Sequence, residues 1–446
     1  MELSLNLSRK SSLEDWLEYI SQINPREIDL GLSRILSVYT RFEVARLAPL
    51  VITVAGTNGK GSTVAAIEAM LLLQGMRVAA FTSPHIDRFN ERFRINQTEV
   101  DDEQLCYVFS EIESVRGNIK LSYFEFTALA GFLIFARTEL DAVILEVGLG
   151  GRLDAVNIID ADICVVTNIS IDHEDWLGKG REAIAAEKAG ILRAGAQAIF
   201  GDRDPPQALL RKAEDLGLTP LCLGQHFWWE REGECWSWHG FTETSNKPKN
   251  IETISDLPSP KLLLDNVAVA MQVLYSVAFS WGFSVNLEAQ RNLLTTLQLA
   301  GRAEWRKDKK TKTPILLDVA HNQGAAEILN KELMNVVQFG HKVVVVLAIM
   351  ADKRVIEFLN AFGSEVSEWH IGEVDNERCL SVSSLEKSLK TLFTDVCVCT
   401  YDSVENAYLG ACAKTNSSPN SVVVVTGSFL TVSAVRNLSV SSAGLV

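Results

Sequence analysis

The stretch that decides the fold is Val51 to Ala66, VITVAGTNGKGSTVAA. Val51 to Ala55 reads as a buried strand, being apolar and rich in β-branched residues. Ser62 to Leu73 reads as a helix, closed by Gly75. The turn between them does not spell the common phosphate-loop pattern G-x-x-x-x-G-K-[ST]. Val54 stands where the first glycine belongs, and Gly61 separates Lys60 from Ser62. The chemistry of an anion cradle is nevertheless present. A helix start offers backbone N–H groups and the positive end of the dipole. Gly56, Gly59 and Gly61 allow the backbone to approach a phosphate closely. Lys60 supplies a charge, and Ser62 stands where a hydroxyl reaches Mg²⁺.

Working outward, strand-length apolar runs alternate with helix-like segments almost throughout, which predicts parallel α/β sheets. Arg77 to Phe81, Asp141 to Val147, Ile163 to Thr167 and Gln197 to Phe200 are predicted strands, and Ala183 to Leu192 a helix. Asn266 to Phe283, with polar residues at intervals, reads as a buried helix rather than a membrane span. Phe227 to Gly240, FWWEREGECWSWHG, predicts a β-hairpin. Acids dominate between its aromatics, so they read as packing and not as a base-stacking platform. The polar, Pro-rich Thr244 to Lys261 reads as a surface excursion. A second series of strands follows in PILLDVA, KVVVVLAI, EWHIGEV, DVCVCTY and SVVVVTGS, with helices between them such as Ala325 to Val336 and Val355 to Phe362. The charged RKDKKTK tract before that series reads as an exposed turn. The expectation is a P-loop-containing ATPase domain with a mostly parallel sheet over residues 1–298, and a doubly wound, Rossmann-like domain over 299–446.

With 446 residues, 47% hydrophobic and 22% charged, the chain is long enough for two or three cores. A net charge of −14 disfavours nucleic acid and anionic membrane surfaces as partners. The N-terminus shows no basic-then-apolar signal pattern, and eight scattered cysteines without a C-x-x-C pair suit free thiols in the cytoplasm. Cys397 and Cys399, in VCVCTY, are expected on opposite faces of a strand. Neither H-x-x-H nor C-x-x-C occurs, so no zinc site is expected.

Strand ends carry the remaining polar signals. AAFTSPH ends in Thr82, Ser83 and His85; ILEVGLGGRLD puts Glu146 at the end of an apolar strand; VVTNISIDHEDWLG leads to Asp172 and His173. In a parallel sheet the carboxyl ends of strands border the ligand crevice. A carboxylate there needs a partner, and Mg²⁺ or a salt bridge to Lys188 or Arg152 would serve Glu146. Lys188, amid small apolar residues, reads as an exposed helix lysine or a buried one. Asp318 and His321 in LLDVAHNQGAAE, and Ser428 in VVVVTGSFLTVSA, stand at strand ends as well. Helix capping by Asn322 and Ser428 explains those positions equally.

GTNGKGS, TSPH, ERFRI, YFEFTA, VGLGGRLDAVN, DHEDWLG, EKAGI, GRAEW, DVAHN and TGSF occur in the order and spacing of the folylpolyglutamate synthase family, within the Mur ligase superfamily. The resemblance is to its bacterial form, which also works as a dihydrofolate synthase, and runs from IDLGL to TGSF. It implies an ATP-dependent ligase adding L-glutamate to dihydropteroate and to folates through an acyl phosphate. A Mur-type ligase for another carboxylate is the alternative in the same superfamily. A P-loop kinase or switch, or a non-catalytic binding protein, are the alternatives outside it. By motif, the resemblance assigns Thr57, Asn58, Gly59, Lys60, Gly61 and Ser62 to the triphosphate, with Asn266, Arg302 and Asp318 as further ATP contacts. It assigns Ser83, Glu146 and His173 to Mg²⁺. Lys188 takes the place of a lysine that is carbamylated in the family. Lys60, Lys188, His173, Asp318, His321 and Ser428 fall at catalytic positions. Gln22, Ile23, Asn24, Pro25, Ser122, Tyr123, Phe124, Glu125, Leu153, Asp154 and Ala155 fall in pterin-binding segments. A monomer is expected, with no nucleic-acid or membrane partner. Three departures lie in the second domain: Gln323 replaces the proline of DVAHNP, Arg354 the last aspartate of M-x-D-K-D, and an Arg-Gly-rich turn is missing around DNERCLS. They bear on the glutamate pocket.

Overall fold

Leu50–Ala55 is buried at every position because it runs through the middle of a sheet. In the computed structural model, which describes residues 11–24, 26, 28–241, 251–363, 365–394, 396–415 and 420–439, that sheet has eight strands. In spatial order they are Thr98–Glu99, Phe93–Ile95, Val78–Phe81, Ala142–Glu146, Leu50–Ala55, Ile163–Val166, Gln197–Phe200 and Leu221–Cys222. Pairing is parallel from Val78–Phe81 onward, and antiparallel between the first three strands. Such strands, covered on both faces, carry near-continuous apolar sequence. Helix Lys60–Leu72 is buried around nearly its whole circumference, because it lies against this sheet on one side and helix Leu264–Trp281 on the other. Leu264–Trp281 is likewise a core helix, and among the described residues no helix is long and apolar enough to cross a membrane.

The hairpin is present as Trp228–Glu232 and Cys235–Phe241. The expected surface excursion is corrected: Ile251–Pro258 is a third, antiparallel strand, with Ile251 opposite Phe241 and Pro258 opposite Cys235. Only one of its faces is covered, by way of Ile254 and Leu257, so polar residues fill the other and the stretch resembles a loop in composition. Residues 244–250 of that stretch lie outside the described residues.

The third sheet has six strands, in the order Glu304–Lys307, Pro314–Leu317, Ser421–Thr426, Lys342–Leu347, Val366–Ile371 and Cys397–Thr400. All pairs are parallel except the first, an edge strand hidden in GRAEWRK. Helices such as Gln323–Gln338 and Val355–Asn360 connect them. The expectation for Cys397 and Cys399 is overturned. Residues two apart in a strand share a face, and both thiols approach Lys414 Nζ, at 3.8 and 4.0 Å. Trp369 and Val398 take the other face and pack into the core with Leu385 and Leu389.

The chain forms two compact units, Met1–Ile169 with Leu177–Leu297, and Ser170–Trp176 with Gln298–Val446, over the described residues. The short segment Ser170–Trp176 thus belongs with the second unit, although it follows a strand of the first.

Candidate active site

The carboxyl ends of Val78–Phe81, Ala142–Glu146, Leu50–Ala55 and Ile163–Val166 lie side by side in the first unit. The glycine-rich turn projects from the third of these. Gly59 has φ 82° and caps helix Lys60–Leu72, whose first hydrogen bond runs from Thr63 N–H to Gly59 O at 2.9 Å. A Cβ on Gly59 would stand 2.4 Å from Asn266 Oδ1, and one on Gly56 1.8 Å from Thr167 Oγ1. The turn is pinned from the neighbouring strand end. Thr57 N–H donates to Asn168 O at 2.9 Å, Asn58 N–H to Asn168 Oδ1 at 2.8 Å, and Thr167 Oγ1 to Asn58 O at 2.6 Å. Thr57 and Asn58 therefore spend their N–H groups on shaping the loop, and the N–H groups at the head of the helix, around Lys60, Gly61 and Ser62, are the ones aligned for an anion. Thr167 and Asn168 were not among the sequence candidates; the signal was the pair of small polar residues directly ending a buried strand.

Lys60 Nζ folds over the turn, donating to Gly56 O and Thr57 O at 3.2 and 3.3 Å. Lys188 is buried, and its Nζ donates to Gly56 O at 2.8 Å, so two lysines meet the loop from opposite origins. This decides between the two readings of Lys188. Of the salt-bridge partners considered for Glu146, Arg152 is paired with Glu187 at 2.9 Å. Glu146, 3% exposed, accepts the Ser83 N–H at 3.2 Å, with the buried Arg92 adding a favourable charge. Asn266 Nδ2, buried beside Gly59, has no hydrogen-bond partner. An orphaned donor, a cradle that a Cβ would fill and a buried carboxylate are what a nucleoside triphosphate with Mg²⁺ requires, so the residues of this unit fit both.

His85 of TSPH accepts from Arg92 Nε at 2.9 Å. Burial, aided by the Arg92 charge, lowers its pKa to about 4, which leaves it the neutral acceptor this bond needs. Arg92 also lies over the rings of Phe89 and Tyr123, at 5.5 and 5.9 Å, tying TSPH, ERFRI and YFEF together.

Three expected pterin segments converge in the first unit. Asn24 donates to Asp29 Oδ2 at 3.0 Å, Arg34 pairs with Asp29 and with Glu125, and Gly31 N–H donates to Leu153 O at 3.3 Å. Gln22 and Ile23 sit at the end of helix Leu13–Ile23, and Pro25 lies outside the described residues. Ser122 and Glu125 form a reciprocal capping box at the start of helix Tyr123–Ala136. Phe124 packs on Phe81, ring centroids 6.0 Å apart. Asp154 accepts the N–H groups of Leu149 and Val156 at 2.8 and 3.0 Å and caps the 3₁₀ turn that contains Ala155. Burial pushes its carboxyl up to about 6 against those donors and the Lys60 charge.

In the second unit the centre is Asp172, with His173 beside it at a positive φ of 53°. Asp172 accepts from Lys353 Nζ at 2.8 Å and Asn322 Nδ2 at 3.0 Å, and pairs with His321 Nε2 at 3.4 Å. Burial alone would raise its carboxyl; the His321 hydrogen bond and the charges of His321, His173 and Lys353 hold it far below the usual carboxylate range. Lys353 was missed, although it follows the buried strand Lys342–Leu347 closely. Asp318 is half-buried and accepts the Ala303 and Ala320 N–H groups, both at 2.9 Å; desolvation raises its carboxyl in spite of Arg302. Arg302 lies over the Phe429 ring at 5.0 Å. Asn322 and Ser428 both act as caps: Asn322 accepts the Ala325 N–H at 3.0 Å and Ser428 the Thr431 N–H at 3.0 Å. The departures have local partners: Gln323 donates to Glu327, Arg354 pairs with Glu357 and Glu174, and Arg378 pairs with Asp352.

Comparison with known proteins matches the family model of the Mur ligase middle domain to residues 54–216, and that of the Mur ligase glutamate ligase domain to residues 301–429. The dihydrofolate synthase/folylpolyglutamate synthase of Escherichia coli strain K12 is 36% identical, over 96% of both chains. The solved structure of E. coli FolC in complex with DHPP and ADP superposes with a TM-score of 0.87 at 34% identity, covering 97% of this chain and 98% of that one. A bifunctional folylpolyglutamate synthase/dihydrofolate synthase with Mn, AMPPNP and L-glutamate bound gives 0.84 at 35% identity, covering 96% and 98%. The chain belongs to the dihydrofolate synthase/folylpolyglutamate synthase family of Mur-type ligases.

Proposed function

We propose that this chain is an ATP-dependent ligase that joins L-glutamate to dihydropteroate, giving dihydrofolate, and to folates, extending their glutamate tail. The observation that carries the nucleotide half is the turn at Gly56 to Ser62, held open by Asn168 and with no room for a Cβ at Gly59. Its family membership supports the choice of acceptor and amine. A carboxylate is a poor electrophile. Its oxygen attacks the γ-phosphorus, ADP leaves, and the acyl phosphate presents a carbonyl carbon to the glutamate amine. The C–N bond forms, phosphate departs, and the amine proton passes to a base or to solvent.

The protein's share is positioning and charge neutralisation. We assign Gly59 to Ser62 to the phosphates, Lys60 to the charge that develops on them, and Asn266, Arg302 and Asp318 to the rest of the nucleotide. Ser83, Glu146 and His173 would hold Mg²⁺, which, when bound, neutralises phosphate oxygens. Lys188 is assigned the carbamylated role. Gln22 to Pro25, Ser122 to Glu125 and Leu153 to Ala155 are assigned to the pterin. The second-unit groups His321 and Ser428 are assigned to the glutamate side, and residues 1–298 and 299–446 to the ATPase and glutamate-ligase domains. A cytoplasmic monomer completes the reading.

With ATP, Mg²⁺ and dihydropteroate, purified protein is expected to release ADP only when L-glutamate is added. Equal release without glutamate would sink the ligase reading. A panel of pteroates, folates and peptide carboxylates, with products read by mass spectrometry, separates the folate branch from a Mur-type ligase for another acid.

A further inference from the structure

Val366–Ile371 and Cys397–Thr400, at one edge of the six-stranded sheet, lie parallel, with Glu368 opposite Cys397 and His370 opposite Cys399. All four side chains share the face that helix Val404–Thr415 helps to cover. One ligand atom from each of Glu368, Cys397 and Cys399 falls within 4.8 Å of the others. Donors on one zinc ion stand roughly 3.5–4 Å apart, given bond lengths of about 2.0–2.3 Å and tetrahedral angles, so side-chain rotation alone brings these three together. His370, fully buried, faces the Glu368 carboxylate through Nε2 at 3.3 Å, while its Nδ1 meets Tyr401 OH at 3.0 Å. That is how a supporting group orients a metal-binding carboxylate. Lys414, at the end of the helix, occupies the centre of the cluster, paired with Glu368 and touching both thiols. Its side chain is half exposed, with a path to solvent.

The geometry points to a thiolate-preferring divalent-cation site of the zinc class, with Cys397, Cys399 and Glu368 as ligands, His370 as the group that positions the carboxylate, and one coordination position left to water. Two soft thiolates select against Mg²⁺, so this site and the catalytic metal draw on different ions. On binding, each thiol releases a proton to solvent and the Lys414 ammonium gives up its place to the metal. A bound ion would fasten the edge strand Cys397–Thr400 to its neighbour. The i,i+2 spacing in each strand, and their separation along the chain, hide this cluster from any search for C-x-x-C arrays.

The test uses the reduced, chelator-treated full-length protein with Co²⁺ as probe and excess Mg²⁺ to occupy oxygen sites. The expected result is a thiolate-to-cobalt charge-transfer absorption that saturates at one equivalent and is abolished by Zn²⁺. Cys397→Ser/Cys399→Ser should lose the band yet keep the wild-type ligase rate, which reports its fold. Glu368→Gln should weaken Co²⁺ binding at least about tenfold. In the unsubstituted chain, Zn²⁺ should protect both cysteines from alkylation, read on their peptide by mass. Absence of a thiolate band, an unchanged band in the double variant, or alkylation indifferent to Zn²⁺ would overturn the site.

Discussion

Substituting Gly59 by alanine separates the two demands placed on the glycine-rich turn. The first is conformational: φ is 82° there, and an L-residue in the left-handed region costs roughly 1–2 kcal/mol. The second is steric, because the new Cβ would meet Asn266 Oδ1, Nδ2 and Cγ at 2.4, 2.8 and 2.9 Å. The Asn266 side chain must rotate away, and its orphaned amide leaves the place where it faces the turn. Gly75 provides the control. It has a φ of 79°, stands just beyond the far end of the same helix, and a Cβ there meets nothing within 4 Å. Both variants are therefore expected to lose stability in urea with unchanged m, and Gly59→Ala the more, because it adds the clash to the shared strain. Only Gly59→Ala should also weaken ATP binding by calorimetry, at least about tenfold, or ~1.4 kcal/mol, with a parallel fall in glutamate-dependent ADP release. Adding Asn266→Ala removes the clash but not the strain, so the double variant should recover stability only in part and nucleotide affinity not at all. Wild-type ATP affinity in Gly59→Ala, or an equal affinity loss in Gly75→Ala, would refute the reasoning.

Lys60→Ala should abolish turnover, and Glu146→Ala should raise the Mg²⁺ concentration needed for half-maximal rate; full activity at ordinary Mg²⁺ in either variant would withdraw that assignment. Lys188 should carry the mass of one added CO₂ in native measurements under bicarbonate, with the gain absent in Lys188→Arg; an unmodified lysine in active enzyme would count against carbamylation. Asp308 bears on stability rather than catalysis. Burial raises its carboxyl, but the N–H and OH of Thr311, the Tyr408 OH and the Lys310 N–H outweigh burial and leave its pKa below the ordinary 3.8. A lowered folded-state pKa stabilises above the unfolded value and is lost as pH falls through the folded one. Asp308→Asn should therefore cost about 1–3 kcal/mol near neutral pH, with the gap to wild type closing below about pH 4; a gap independent of pH would argue against a charged Asp308.

How far the residues alone carry the reading follows from the range of the forces involved. The strand, the glycine turn and the helix of VITVAGTNGKGSTVAA are local events. Apolar periodicity, turn chemistry and helix starts act over a few residues, so the glycine turn, Glu146 at a strand end and the parallel strands of both units were legible in the sequence. Polar composition misled at Ile251–Pro258, because a strand with one solvated face resembles a loop. Strand pairing and burial belong to the tertiary structure. Only the fold sets Asn168 against Asn58, 110 residues away, or Lys353 against Asp172, 181 residues away. It alone buries Lys188 against Gly56 O. Exclusion of water then decides which groups change character: Asp154 moves up to about 6 and His85 down to about 4. No residue type or spacing encodes that shift, because it is set by which surfaces the packed chain removes from solvent.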